Sequence, residues 1–109
     1  EVNPTAVRVP VFYGHSEAVH LETKTKISAK QVRELLLSAP GVVVVDEHKA
    51  GGYPTPVTHA SGTDPVYVGR IREDISHPNG VNLWVVSDNI RKGAALNAVQ
   101  IAELLASKR

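Results

Sequence analysis

Four valines in succession, Val42 to Val45, follow directly on Pro40-Gly41, and they constrain the fold more than any other stretch. β-Branched side chains are stiff at χ1 and crowd a helical turn. An unbroken run of them therefore reads as a strand buried on both faces. What precedes the run is helical. Ser28-Ala-Lys-Gln31 has the spacing of a capping box, Ile27 and Val32 stand at the two positions of a hydrophobic staple, and Val32, Leu35, Leu36 and Ala39 trace one apolar stripe. The sequence thus predicts a helix opening at Ser28, stopped by Pro40-Gly41, and lying on a sheet that contains Val42–Val45.

Further strands can be read on either side. In Ser16–Thr23, Val19 and Leu21 alternate with Ala18, His20 and Glu22, which places His20 on a polar or half-exposed face rather than in a catalytic role. Val66–Ile71 and Val81–Val86 flank an Asn79-Gly80 turn signal and are expected to pair as an antiparallel hairpin, with Trp84 as a packing anchor. Asp88 to Ala106 carries apolar residues at three- and four-residue intervals (Ile90, Ala94, Ala98, Ile101, Leu105) and predicts a final amphipathic helix. Gly93-Ala94-Ala95 near its start leaves the backbone bare. Either a crossing element or a ligand would approach there. The fold class is α+β: a mixed or antiparallel sheet covered by helices and ending in a long helix.

Positions 46–65 show no sustained period and hold Gly51-Gly52, Pro54, Pro56, Gly62 and Pro65. A loop of that length in a compact domain is functional or packed against something. Its two histidines, His48 and His59, match no ligand spacing, and with no cysteine in the chain they are read as solvated loop residues, not a metal site. The missing cysteine also excludes disulfides and a thiol nucleophile among these residues. With 12 basic against 11 acidic side chains, interspersed, there is no electrostatic footprint for nucleic acid or an anionic membrane. No apolar run is long enough to span a bilayer, and Glu1–Thr5 lacks the character of a signal peptide. The chain enters a strand-like pattern at once and has no initial methionine, as expected of a piece of a longer protein.

That opening pattern, Val7, Val9 and Val11 alternating with Arg8, Pro10 and Phe12, predicts a strand ending near Tyr13. It places a fixed cation, Arg8, and a titratable imidazole, His15, at the two ends of an apolar stretch. A straight strand would hold them roughly 23 Å apart, so a shared cleft requires a bend, and Gly14 is where the chain can make one.

Arg-x-Pro-x-x-x-Gly-His-Ser at 8–16, Gly-Gly-Tyr-Pro-Thr-Pro at 51–56 and Ser-Asp-Asn-x-Arg-Lys-Gly-Ala-Ala at 87–95 together resemble the C-terminal part of aspartate-semialdehyde dehydrogenases. The resemblance extends over nearly the whole chain. It implies a fragment of the glyceraldehyde-3-phosphate dehydrogenase-like C-terminal domain, with 1–88 in the catalytic and dimerisation domain and 89–109 a helix returning to a nucleotide-binding domain. It also implies NADP as cofactor, aspartate semialdehyde, aspartyl phosphate and phosphate as reactants, a homodimer or homotetramer, and a cytoplasmic enzyme of lysine, methionine and threonine biosynthesis. Residue by residue, it makes Arg8 the holder of the substrate carboxylate and His15 the acid/base. Asn89 and Gly93 would lie beside the nicotinamide, with capping of the last helix as a further or alternative job for Asn89. The nucleophilic cysteine, the phosphate site and the Gly-rich nucleotide loop would lie outside these residues. N-acetylglutamyl-phosphate reductase resembles the motifs less closely, and a non-catalytic α+β dimerisation module is the alternative from another class.

Overall fold

The structure, a computed structural model, describes residues 1–108. Four strands, β1 (His15–Glu22), β2 (Val42–Val44), β3 (Val66–Glu73) and β4 (Gly80–Ser87), form one mixed sheet in the order β1-β4-β3-β2. β4 pairs antiparallel with both β1 and β3, and β2 runs parallel to β3 with Val42 opposite Val66. The hairpin read around Asn79-Gly80 is the β3–β4 pair.

Helix α1 (Ala29–Leu37) opens with the expected reciprocal cap: the Gln31 amide donates to Ser28 Oγ at 3.2 Å, and the Ser28 amide donates to Gln31 Oε1 at 2.9 Å. It ends where Gly41 takes φ +74°, a conformation that costs a β-carbon. Ala29, Val32 and Leu36 on α1 pack over Val68, Ile71, Val81 and Leu83, which form the core. Burial of each of Val68, Ile71, Val81 and Leu83 contributes about 1.5–3 kcal/mol.

The other face of the sheet carries Trp84, paired with Ala18, and Val86. The 46–65 segment covers much of it. Trp84 Nε1 donates to the Pro54 carbonyl at 2.9 Å, and Ala60 and Val86 are buried. At Gly69 a β-carbon would stand 2.2 Å from the Val45 carbonyl oxygen and 2.6 Å from Pro54 Cδ, so only glycine allows this approach. The segment is not wholly irregular: Pro56–Ala60 forms a π-helical turn, opened by Thr55 Oγ1 accepting from the Thr58 amide at 3.1 Å. His59 is half-buried and tilts against Tyr67 with ring centroids 5.7 Å apart, so it belongs to the packing rather than to solvent.

Other expectations need correction. No strand forms over Val7–Tyr13. The residues alternate, but the strand β1 begins only at His15, and Val7, Val9, Val11 and Phe12 are exposed, with no neighbouring ladder to accept them. Val42–Val45 is not buried on both faces. β2 is an edge strand, with Val42 and Val44 turned to the core while Val43 stays exposed. The last helix starts later than its apolar spacing suggests. A π-helical turn at Arg91–Ala95 leads into α2 (Leu96–Ser107), and Val99, Ile101, Leu104 and Leu105 on α2 are each more than half exposed. Among the described residues no helix is long and apolar enough to cross a membrane.

Candidate active site

Three segments distant in sequence meet where β1 begins. The first is the break before it: Gly14 adopts φ +98°, and its amide donates to Asn89 Oδ1 at 2.7 Å. A β-carbon at Gly14 would lie 2.6 Å from Pro56 Cβ, so the π-helical turn at 56–60, the second segment, closes over the same point. The third is the turn after β4. There Asp88 Oδ1 accepts from the amides of Ile90 and Arg91, both at 2.8 Å, and the Gly93 amide donates to the Asp88 carbonyl at 2.9 Å.

His15 is the first residue of β1, paired with Ser87, and its side chain is exposed. The position of a β-carbon on Gly93 lies 3.6 Å from His15 Cε1 and 3.7 Å from Nδ1. Gly93 therefore faces the imidazole across a gap that a methyl group would just fill, and Gly93 itself is exposed. Of the four candidate residues, His15, Asn89 and Gly93 are brought to one place. Arg8 lies upstream in the exposed 1–13 segment, without a carboxylate partner among the described residues; the arginine ion pairs found there run from Arg33 to Asp46 and from Arg91 to Asp64.

Asn89 does not cap the helix. Its carboxamide oxygen is committed to Gly14, and capping falls to the residue before it. Asp88 is the member of this cluster that the sequence reading passed over. An aspartate just ahead of helical amides is a recognisable cap signal, but its second bond, from the Gly62 amide to Oδ2 at 2.7 Å, joins positions 26 apart and leaves no local trace. Asp88 is buried, and the amides of Arg91, Gly62 and Ile90 hold its carboxyl below the usual carboxylate range against the opposing effect of desolvation.

His20 takes no part in this cluster. On the exposed side of β1, its Nδ1 stands 3.2 Å from Asn82 Oδ1 and 3.0 Å from Asp74, while Nε2 faces Glu22; these acceptors raise its pKa. A cavity of about 240 Å³ lined by Ala18, Tyr53, Arg70, Arg72, Leu83 and Trp84 lies on the sheet and is not lined by His15, Asn89 or Gly93. With His15 and Gly93 exposed, the cluster forms an open wall. Such a wall offers a proton carrier, an amide NH₂ and bare backbone to whatever faces it.

A family model described as semialdehyde dehydrogenase, dimerisation domain, matches residues 1–92. Aspartate-semialdehyde dehydrogenases of Shewanella violacea and Legionella pneumophila are 66% and 67% identical over 104 residues, which is 95% of this chain and 30% of each relative. The chain therefore spans less than a third of their length. A crystal structure of aspartate semialdehyde dehydrogenase II complexed with ASA from Vibrio cholerae superposes with a TM-score of 0.89 at 58% identity, over 96% of this chain and 30% of that one. The enzyme from Francisella tularensis, at 24% identity, shares the fold with a TM-score of 0.80.

Proposed function

The chain belongs to the semialdehyde dehydrogenase dimerisation-domain family, and from that premise we propose that it is the C-terminal portion of an NADP-dependent aspartate-semialdehyde dehydrogenase. The reaction is the interconversion of aspartyl phosphate with aspartate semialdehyde and phosphate, in the cytoplasmic synthesis of lysine, methionine and threonine, by a homodimer or homotetramer. The reading is carried by the convergence of Gly14-His15, Asn89 and Gly93, from opposite ends of the chain, on one open wall. Relatives named for this activity favour it over a reductase of N-acetylglutamyl phosphate.

In this reading His15 carries the proton. An exposed imidazole can take a proton from a thiol and return one to oxygen in the same cycle. The thiol comes from outside these residues, since the chain holds no cysteine. Arg8 clamps the substrate carboxylate. Its planar guanidinium has no competing carboxylate among the described residues and can make two parallel charge-assisted bonds.

The cofactor side fits in part. Asn89 Oδ1 is occupied by the Gly14 amide, while its NH₂ group is left to donate to a carboxamide oxygen; Gly93 is exposed and presents backbone that a flat ring can approach. A bound nicotinamide supplies hydride transfer. Residues 89–109 would return to a nucleotide-binding domain, which accounts for the apolar side chains that α2 leaves uncovered, with 1–88 belonging to the catalytic and dimerisation domain.

The test is His15→Asn in the full-length enzyme. It keeps a polar side chain but removes the proton carrier, so kcat should fall by about 10²- to 10⁴-fold with KM little changed. A variant with near-normal kcat would make His15 a strand-end residue and nothing more.

A further inference from the structure

Asp88 stands out among the groups not used above. It is the buried charged residue of the described chain, yet it is not half of an ion pair, because Arg91 directs its guanidinium to Asp64 at 2.5 Å. Its two oxygens accept three backbone amides instead: Ile90 and Arg91 at Oδ1, Gly62 at Oδ2. That set demands a group that accepts at both ends. Serine has a single oxygen, and asparagine would turn an NH₂ toward one of the donors.

The amides so held belong to the two segments that grip the start of β1. Ile90 and Arg91 set the turn from which Asn89 reaches the Gly14 amide and Gly93 faces the His15 ring. Gly62 closes the segment whose Pro56 packs on Gly14. We propose that Asp88 is a positioning residue for His15, fixing the imidazole by locking the 55–62 segment and the 88–93 turn onto Gly14 from both sides. This rests on His15 being the proton carrier.

The experiment uses the full-length enzyme with Asp88→Asn, His15→Asn and the double variant. In Asp88→Asn the amide oxygen goes to the two amides at Ile90 and Arg91, so the NH₂ opposes Gly62 and only the tie to the 55–62 segment breaks. Misplacing a reacting group by about 1 Å costs up to roughly 100-fold, so kcat should fall about tenfold or more, with KM for aspartate semialdehyde and for phosphate held within about threefold. The pH limb governed by the imidazole should also move. On the His15→Asn background Asp88→Asn should add less than about twofold, because the two act through one group.

Wild-type kcat and pH profile in a folded Asp88→Asn protein would overturn the proposal while leaving the role of His15 intact. An undiminished further loss on the His15→Asn background would overturn it too, by showing that Asp88 acts elsewhere. Near-normal kcat in His15→Asn alone would instead remove the reading on which it rests. If Asp88→Asn does not fold, Asp88→Ser, which can still cap the turn but cannot reach Gly62, carries the same comparison.

Discussion

The amide of Gly14 donates to the side-chain oxygen of Asn89 at 2.7 Å, joining residues 75 positions apart at the point where the chain turns into its first strand. This bond brings the two motifs at the chain's ends into contact. One supplies the imidazole, and the other supplies the group that sets the backbone just before it.

Gly14→Ala should therefore damage both stability and activity. A non-glycine residue at φ +98° costs roughly 1–2 kcal/mol in backbone strain alone, and the added methyl would stand 2.6 Å from Pro56 Cβ, so either Pro56 or the Gly14–Asn89 bond must move. A loss of about 2–4 kcal/mol in denaturant unfolding is expected, together with a fall in kcat. Unchanged stability would mean that the turn relaxes without cost and does not clamp His15.

Acid should loosen the same region. Asp88 has its pKa depressed in the folded state by the amides of Arg91, Gly62 and Ile90, so the folded protein binds fewer protons than the unfolded one below the ordinary carboxylate range. The stabilisation is complete above that range, about pH 4, and is lost as pH falls through the lower folded value. Asp74, depressed by the Ser76 amide and hydroxyl, acts in the same direction. Asp88→Asn should flatten the dependence of Tm on pH through and below the ordinary carboxylate range, where Asp74 would leave a residual slope. Equal slopes for the two proteins would deny that Asp88 is held as a carboxylate.

Much of the fold was legible because local chemistry and tertiary structure agree. The Ser28–Gln31 box, the Asn79-Gly80 turn and the alternation around Val19 each name their own partner or face. Val7, Val9 and Val11 misled for the opposite reason: a period of two states which side chains share a face but not whether another strand is there to cover it. The β2 valines misled likewise, since β-branching is as compatible with an edge as with the centre of a sheet. At the site, His15 and Asn89 could be picked out through their motifs. The bonds from Gly62 to Asp88 and from Gly14 to Asn89 could not, because a backbone amide has no sequence signature.

Arg8→Lys tests the carboxylate clamp separately from the proton carrier. Lysine keeps the charge but replaces a planar fork with a point charge on a flexible stem, so it holds the substrate in the ground and transition states less well by a similar amount. In the full-length enzyme KM for aspartate semialdehyde should rise, with kcat much less affected. A fall in kcat with KM unchanged would show instead that this side chain acts only in the transition state.

The chain by itself should fold its sheet but catalyse nothing. Its core, Val68, Ile71, Val81 and Leu83 under α1, is internal, whereas the His15 wall is open and α2 presents Val99, Ile101, Leu104 and Leu105 to no covering surface among the described residues. No cysteine is present to attack an aldehyde. Purified and supplied with aspartate semialdehyde, phosphate and NADP, the 109 residues should give no NADPH above background and no tight NADP binding. Adding the remaining portion of the enzyme in trans should restore turnover if α2 docks there, and Leu104→Glu should block that rescue by placing a charge in the docking face. Turnover by the isolated chain would require a nucleophile other than cysteine and would end the assignment of His15 as the partner of a thiol.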